Sequence, residues 1–403
     1  MEFDFDRVIN RRGSGSEKWN VAPTELPMWV ADMDFQTAPA VQRAIAQRAA
    51  HGIFGYTGIT DDWYTAYQNW WQQRHGFCME RSWLLFCTGV VPAISSVVRK
   101  LTSPAEQVVL LTPVYNIFFN CVRNNGRVPL QCPLQRDRNG MYSIDFARLT
   151  PLLEDRQTTL LLLCNPHNPV GKIWDRETLA TLGRLCRENH VIVLSDEIHC
   201  DLTDPGCAYV PFASVSEDCL VNSITCLAPT KAFNLAGLQT AAVCIADETL
   251  RHKVWRALNT DEVAEPNAFA VDGAVAAFTQ GGPWLDALRK YLYANKCLAR
   301  SFIAEQIPQL EVSPAQATYL LWLHSDAFGG GGADAAAYIR AQSGLYVCGG
   351  NQYGAGGEDF LRMNIACPRS LLQDGLNRLQ KGMQAYLRHK QSPQSKTAGD
   401  EAV

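Results

Sequence analysis

Long apolar runs are missing from this sequence. No stretch approaches about 18 uninterrupted apolar residues, the length a bilayer-spanning helix needs, so no membrane partner is expected. An excess of positive charge is missing too: 36 basic against 40 acidic residues leave a formal charge of -4. That balance offers nothing to hold a phosphate backbone or an anionic membrane surface, and nucleic acid is not expected as a partner. The fourteen cysteines contain no C-x-x-C pair, so neither a metal site nor a disulfide framework is read from them. There is no internal repeat. There is also no Walker lysine and no G-x-G-x-x-G, so a nucleotide is not implied. The opening MEFDFDR is acidic, with no apolar core behind it; no secretory signal is read there, and a soluble cytoplasmic protein is expected.

What is present is a large apolar content. At 403 residues and 47% hydrophobic, the chain can bury a substantial core and is long enough for two domains. Seven short apolar, β-branched runs recur through its middle: LLFCTG from Leu84, QVVLLTP from Gln107, VPLQCPL from Val128, TTLLLLCN from Thr158, VIVLSDE from Val191, SITCLAP from Ser223 and TAAVCIA from Thr240. Runs apolar on both alternating faces fit strands covered on both sides. Helical stretches such as Pro92 to Lys100 and Asp175 to Asn189 lie between them. The alternation predicts an α/β fold whose large domain has a mostly parallel sheet of about seven strands flanked by helices. Many cysteines, among them Cys87, Cys164 and Cys244, sit inside these runs, where a reduced thiol packs as a small hydrophobe.

Thr60 to His75 carries Trp63, Tyr67, Trp70 and Trp71 at helical spacing, with Gly76 as a stop. That stripe reads as core or as subunit interface. After Gly281 the pattern changes to long amphipathic helices, a short strand pair around TYLLWL from Thr318, and a closing helix from Ser370 to about Leu387. This predicts a second, smaller α+β domain. The expected division is 1–45 as an N-terminal segment joining the small domain, 46–283 as the large domain, 284–390 as the small one, and 391–403 as a disordered tail, with Gly329 to Gly332 as a flexible loop.

Four segments place polar groups at strand ends, where ligands of parallel sheets bind. In CTGVVPAI a strand ends at Thr88 and Gly89 and a helix opens at Val90, offering backbone N–H groups and a dipole to a phosphate. In NPHNPVGK, from Asn165 to Lys172, two Asn–Pro pairs force an extended turn that presents Asn168; a rigid loop with Asn as turn former reads equally well. In SDEIHCDL, Asp196 ends a buried strand, where a carboxylate is costly unless it meets a cation such as a protonated ring nitrogen. In APTKAFNLAGL, Lys231 follows a strand beside Thr230, and a lysine in apolar surroundings can lose its proton and attack a carbonyl.

Taken in order, Asn-Pro-x-Gly, the aspartate a strand later, Thr-Lys-x-Phe-Asn-x-Ala-Gly-Leu and the arginine of RMNIACPRS resemble the fold type I pyridoxal-phosphate enzymes of the class I/II aminotransferase superfamily. PMWVADMDF from Pro27 to Phe35, with GYTG, PVYNIFF and DEIHCDL, resembles the MalY/PatB group of cystathionine β-lyases, and the likeness runs from about Leu26 to Leu387. It implies pyridoxal 5'-phosphate as cofactor, bonded through Lys231, which would then shuttle the substrate Cα proton. Asp196 would keep the pyridine nitrogen protonated, Asn168 would hydrogen-bond the ring O3', and Tyr115 would stack on the ring. His199 stands where many relatives place a tyrosine that also serves O3'; a structural histidine is the other reading. Phe118 and Phe119 read as core.

The resemblance also implies a phosphate held by the backbone of Gly89, Val90 and Val91, by Thr230, and by Tyr56 reaching from a second subunit of a homodimer. The aromatic stripe that follows Tyr56 offers that dimer an apolar surface. Ala228 departs from the pattern, standing where many relatives have a serine, so phosphate binding leans more on the helix N-terminus. Arg362 would grip the substrate α-carboxylate in a bidentate fork, whereas Arg369 reads as a surface or helix-start residue. Asp32 and Tyr319 would line the substrate mouth, though a capping Asp and a core Tyr look the same. The function implied is a cysteine-S-conjugate β-lyase acting on an amino-acid thioether, L-cystathionine foremost; no second arginine for a side-chain carboxylate is identifiable. The alternatives are an aminotransferase on the same cofactor and a cofactor-bound regulatory protein with little turnover.

Overall fold

The computed structural model describes residues 3–391, and the expected tail after Gln391 lies outside the described residues. The chain forms two compact units: unit 1 comprises Met1–Phe35, Tyr291–Pro314 and Tyr319–Val403, and unit 2 comprises Gln36–Lys290 and Ala315–Thr318. The expected cut at residue 45 falls inside the helix Pro39–His51, which packs on the helix Ala270–Gln280 of unit 2.

In unit 2 all seven apolar runs become strands of one sheet: β1 (Leu84–Cys87), β2 (Gln107–Thr112), β3 (Val128–Pro133), β4 (Thr158–Cys164), β5 (Ile192–Asp196), β6 (Ser223–Leu227) and β7 (Ala241–Cys244). Their spatial order is β1-β7-β6-β5-β4-β2-β3. Only β7 runs against its neighbours; the other pairs are parallel. The reason these runs lack polar alternation is visible in the core. Val108, Leu110, Leu160 and Leu162 point into one apolar cluster, while Val109, Leu111, Leu161 and Leu163 point into another. Successive side chains of a strand face opposite ways, so covering both faces with helices demands an apolar residue at every position. At the sheet edge, β3 is largely solvent-facing and carries Pro129 and Pro133, residues that an interior strand would not tolerate.

The aromatic stripe proves to be core and not an interface. The helix Asp61–His75 buries Trp63, Tyr67, Trp70 and Trp71, and Tyr67, Trp70 and Trp71 pack edge-on or tilted against Phe278. The four rings are enclosed by their own unit, so they leave little apolar surface for a second copy.

Unit 1 holds a four-stranded antiparallel sheet in place of the expected strand pair: β8 (Glu311–Val312), β9 (Leu320–His324), β10 (Cys348–Gly349) and β11 (Phe360–Asn364), ordered β8-β9-β11-β10. Three of these strands are too short or too mixed to show a period. The helices Gly332–Ser343 and Arg369–Gln391 pack closely, with a Cβ at Gly382 placed 2.7 Å from Ile339. Leu26–Pro27 pairs in parallel with Leu345–Tyr346, which ties the N-terminal segment to the C-terminal part. Gly329 and Gly330 adopt left-handed φ of 55° and 82°, turning the chain into the first of these helices. No helix of the described residues is long and apolar enough to cross a membrane.

Candidate active site

The parallel arrangement sends the carboxyl ends of β1, β2, β4, β5 and β6 to one edge of the sheet. Register pairs Cys164 with Asp196, Asp196 with Cys226, Ala242 with Leu227, and Ala241 with Cys87. Adjacent strands lie about 4.8 Å apart. The segments that follow, Thr88–Val91, Pro113–Tyr115, Asn165–Asn168, Asp196–His199 and Thr230–Lys231, are therefore gathered along one line. Topology alone brings together residues spread over more than a hundred positions of sequence.

Asp196 is the electrostatic centre of that edge. Its side chain is buried and accepts a hydrogen bond from the Ile198 N–H at 3.1 Å. Burial pushes its carboxyl up to about 6, against the Ile198 hydrogen bond and the charge of Lys231, which both pull it down. Lys231, half-buried in the turn after β6, thus lies within the electrostatic reach of Asp196. The thiols of Cys121, Cys164 and Cys226 also feel Asp196, and burial pushes all three up. They behave as packing groups around the carboxylate.

The NPHNPVGK segment is held from two sides. Both Asn–Pro bonds are cis, and the Asn168 N–H donates to Cys164 Sγ at 3.4 Å. Buried His167, which desolvation lowers to about 4, is neutral and donates from Nε2 to the Pro113 carbonyl at 2.8 Å. That bond links the Asn168 loop to the segment that carries Tyr115. Gly171 closes the turn at φ 69°, where a Cβ would lie 2.6 Å from Ala315; no other residue fits both constraints. Tyr115 packs edge-on to Phe118, and Phe118 and Phe119 are core as expected.

At the β1 end, Gly89 precedes the helix Val90–Leu101, whose first N–H groups have no intrahelical acceptor. A Cβ on Gly89 would press on Pro92 at 3.2 Å. Val90 is buried and Val91 exposed, while Thr230 and His199 are buried. Tyr56 is fully exposed at 103%, beside exposed Ile53 and Phe54, and its own unit does not fold it into the sheet edge.

The three remaining candidates lie in unit 1. Arg362 on β11 is buried, donates from Nη2 to the Trp29 carbonyl at 2.9 Å, and lies over the Tyr353 ring. Tyr319 is 1% exposed and donates to the Ala31 carbonyl at 3.1 Å, which is the core reading. Asp32 caps no helix: it accepts from Arg11 at 2.9 and 3.1 Å and lies 3.7 Å from Lys18. Arg369 opens the last helix and stacks over Tyr291.

Two clusters went unread in the sequence. Glu197, next to Asp196, accepts from Ser195 Oγ at 2.8 Å, from the Phe212 N–H at 3.0 Å and from the Tyr209 hydroxyl. Burial pushes it up to about 8. Asp201 accepts from Trp70 Nε1 and pairs with His75 Nε2 at 3.0 Å, with the Cys200 thiol close by. An acid inside an apolar run was the available signal for Glu197; His75 and Asp201 are 126 residues apart and offered none.

An edge with a buried carboxylate, a nearby lysine and a helix N-terminus defines a site for a ligand that is cationic at one end and anionic at the other. The model of the aminotransferase class I and II family matches residues 26–379, and the chain belongs to that family. Cystathionine beta-lyase PatB of Bacillus subtilis (strain 168) is 42% identical over 94% of this chain and 100% of its own length. Protein MalY of Escherichia coli (strain K12) is 30% identical over 93% of this chain and 97% of its own. The solved structure of a PLP-bound C-S lyase from Staphylococcus hominis, 32% identical, superposes with a TM-score of 0.89 over 95% of this chain and 98% of that one.

Proposed function

We propose that this pyridoxal-phosphate-dependent carbon–sulfur lyase cleaves L-cystathionine to homocysteine, pyruvate and ammonia. The observation that carries the cofactor is Asp196: a buried carboxylate with raised proton affinity at the end of a parallel strand fits a protonated pyridine nitrogen, which would restore it to the ionised form. Bound pyridoxal phosphate supplies a carbonyl for the substrate amino group and an electron sink for Cα.

The chain's own residues do the rest. Asn168, on the loop anchored by His167, would hydrogen-bond the ring O3', with His199 as a second candidate for that role. Tyr115 would stack on the ring. Gly89, Val90 and Val91, at the N-terminus of the helix Val90–Leu101, would hold the phosphate through backbone N–H groups, with help from Thr230 and from Tyr56 of a second copy in a homodimer; the full exposure of Tyr56 in one chain supports that assignment. Arg362 orients the α-carboxylate. Lys231 Nζ takes the Cα proton, the Cβ–S bond breaks toward sulfur, and the released thiolate is protonated. Water then completes the conversion of the three-carbon fragment to pyruvate and ammonia. Asp32 and Tyr319, which also tie the N-terminal segment of unit 1 through Arg11 and the Ala31 carbonyl, would line the substrate mouth.

The test is release of pyruvate and free thiol from L-cystathionine by cofactor-loaded protein with no 2-oxo acid present. Equimolar release over many turnovers is expected. Amino-group transfer to an added 2-oxo acid, with no pyruvate release, would replace the lyase by an aminotransferase.

A further inference from the structure

Unit 1 carries a groove of about 540 Å³, lined by residues that include Trp29 and Cys348. Its floor is made by the alanine-rich face of the helix Gly332–Ser343, where Ala333, Ala337 and Ala341 leave room that larger side chains would fill. One wall is aromatic: Trp29 and Tyr346 stack with centroids 5.0 Å apart and planes 14° apart. Over the Tyr346 ring, 3.7 Å from its centroid, lies the guanidinium of Arg340.

Arg340 is fixed in place. Its Nε and Nη2 donate to the two carboxylate oxygens of Glu25 at 2.6 and 2.9 Å. The hydrogen bond from Arg340 holds the Glu25 carboxyl below its ordinary value. A guanidinium has five N–H donors; Glu25 takes two of them, and a further side-chain hydrogen bond engages the Tyr346 hydroxyl. An aromatic-backed cation with donors left over is a receptor for a planar anion.

The groove is joined to Arg362 through two residues. Trp29 gives its carbonyl to Arg362 and its ring to the groove. Cys348, also in the lining, stands opposite Arg362 in the β10–β11 register. From Cys348 to Tyr346, beneath Arg340, is two residues of chain, about 7 Å if extended.

We infer that Arg340 is a specificity-determining residue: it binds a carboxylate on the leaving-thiol side of the substrate, so the enzyme favours cysteine S-conjugates whose thiol fragment is itself an amino acid. The distal carboxylate meets Arg340 and the distal ammonium faces Glu25. This rests on the lyase reading above, with the α-carboxylate on Arg362. It also supplies the second arginine that could not be picked out in the sequence, because nothing in the run AAAYIRAQ distinguishes Arg340 from a solvated helix residue.

The holoenzyme is assayed with L-cystathionine and with S-methyl-L-cysteine, which has no distal carboxylate. Arg340→Ala removes the receptor. Gln352→Glu places a negative charge in the groove lining while leaving the Glu25–Arg340 pair intact, so it covers the case in which the first variant misfolds. Each variant is expected to lower kcat/KM for L-cystathionine about tenfold or more, mainly through KM, with S-methyl-L-cysteine changed by less than about twofold. Calorimetric affinity for the all-carbon analogue of cystathionine should fall in step. Equal losses on both substrates, or no loss on either, overturn the inference. A wild-type enzyme inert toward both thioethers refutes the lyase reading itself, and the inference with it.

Discussion

In unit 1, buried Asp34 accepts hydrogen bonds from Arg11 at 2.8 Å, Lys18 at 2.7 Å and Trp19 at 2.7 Å. At the sheet edge of unit 2, equally buried Asp196 accepts one, from the Ile198 N–H. The first region pairs its charges with one another: burial alone would lower the Arg11 guanidinium, and its bonds to Asp32 and Asp34 outweigh that and raise it. The second leaves two acids, Asp196 and Glu197, displaced upward by desolvation, to about 6 and about 8. Charges that satisfy each other hold a segment in place. A buried carboxylate with as little compensation as Asp196 suits an arriving cation, whereas Glu197 is met within its own unit by Ser195, Phe212 and Tyr209.

The comparison breaks most visibly at Lys231. Lys231→Ala should lower β-elimination by at least about a thousandfold while moving the unfolding midpoint in denaturant little; a loss of both would place Lys231 with the structural charges. Lys18→Met should do the reverse, because it strips a partner from buried Asp34. A stability loss of about 3 kcal/mol is expected by urea titration, and an unchanged midpoint would show that Arg11 and Trp19 suffice.

Asp196→Asn sharpens the contrast through its sign. A carboxyl raised in the folded state contributes stability below its unfolded value near 3.8, and that stability is lost as pH rises through about 6. The cofactor-free variant should therefore be more stable than cofactor-free wild type at pH 8, by on the order of 2–3 kcal/mol, while loss of lyase activity is expected. A lower melting temperature for the variant would refute the reading of Asp196 as under-compensated. The smallest effect is at Glu197, where the same sign applies higher up: stability falls as pH rises through about 8. Glu197→Gln should flatten the decline in melting temperature between about pH 7 and 9, worth about 1 kcal/mol; profiles that superpose would mean the acid is ionised throughout.

The sheet was legible because strands covered on both faces must be largely apolar, and six of the seven runs from Leu84 to Ala246 show that pattern; the edge strand β3, with Gln131 exposed, shows it least. Asn168, Asp196 and Lys231 stood out as polar residues ending such runs. The helix Asp61–His75 was legible as a helix, but its aromatic face could equally have met a second copy, and only the packing on Phe278 decides that. The antiparallel sheet of unit 1 was read as a strand pair because strands of two residues carry no period. Asp32 and Tyr319 were ambiguous for a related reason: a side chain's partner, Arg11 in one case and the Ala31 carbonyl in the other, is not written beside it.

By itself the sequence determined the class of fold, the order of the strands along the chain and which polar residues end them, because periodicity and local polarity are properties of neighbours in the chain. Which edge those residues share was settled by the parallel register of β4, β5 and β6 and by β7, whose reversed course between β6 and β1 turns the end of β1 to the same edge. The pairing of Asp34 with Lys18, the raised acids and the Glu25–Arg340 receptor were likewise left to the tertiary structure. Desolvation and ion pairing depend on what lies within a few ångströms in space, and that distance has no counterpart in sequence separation.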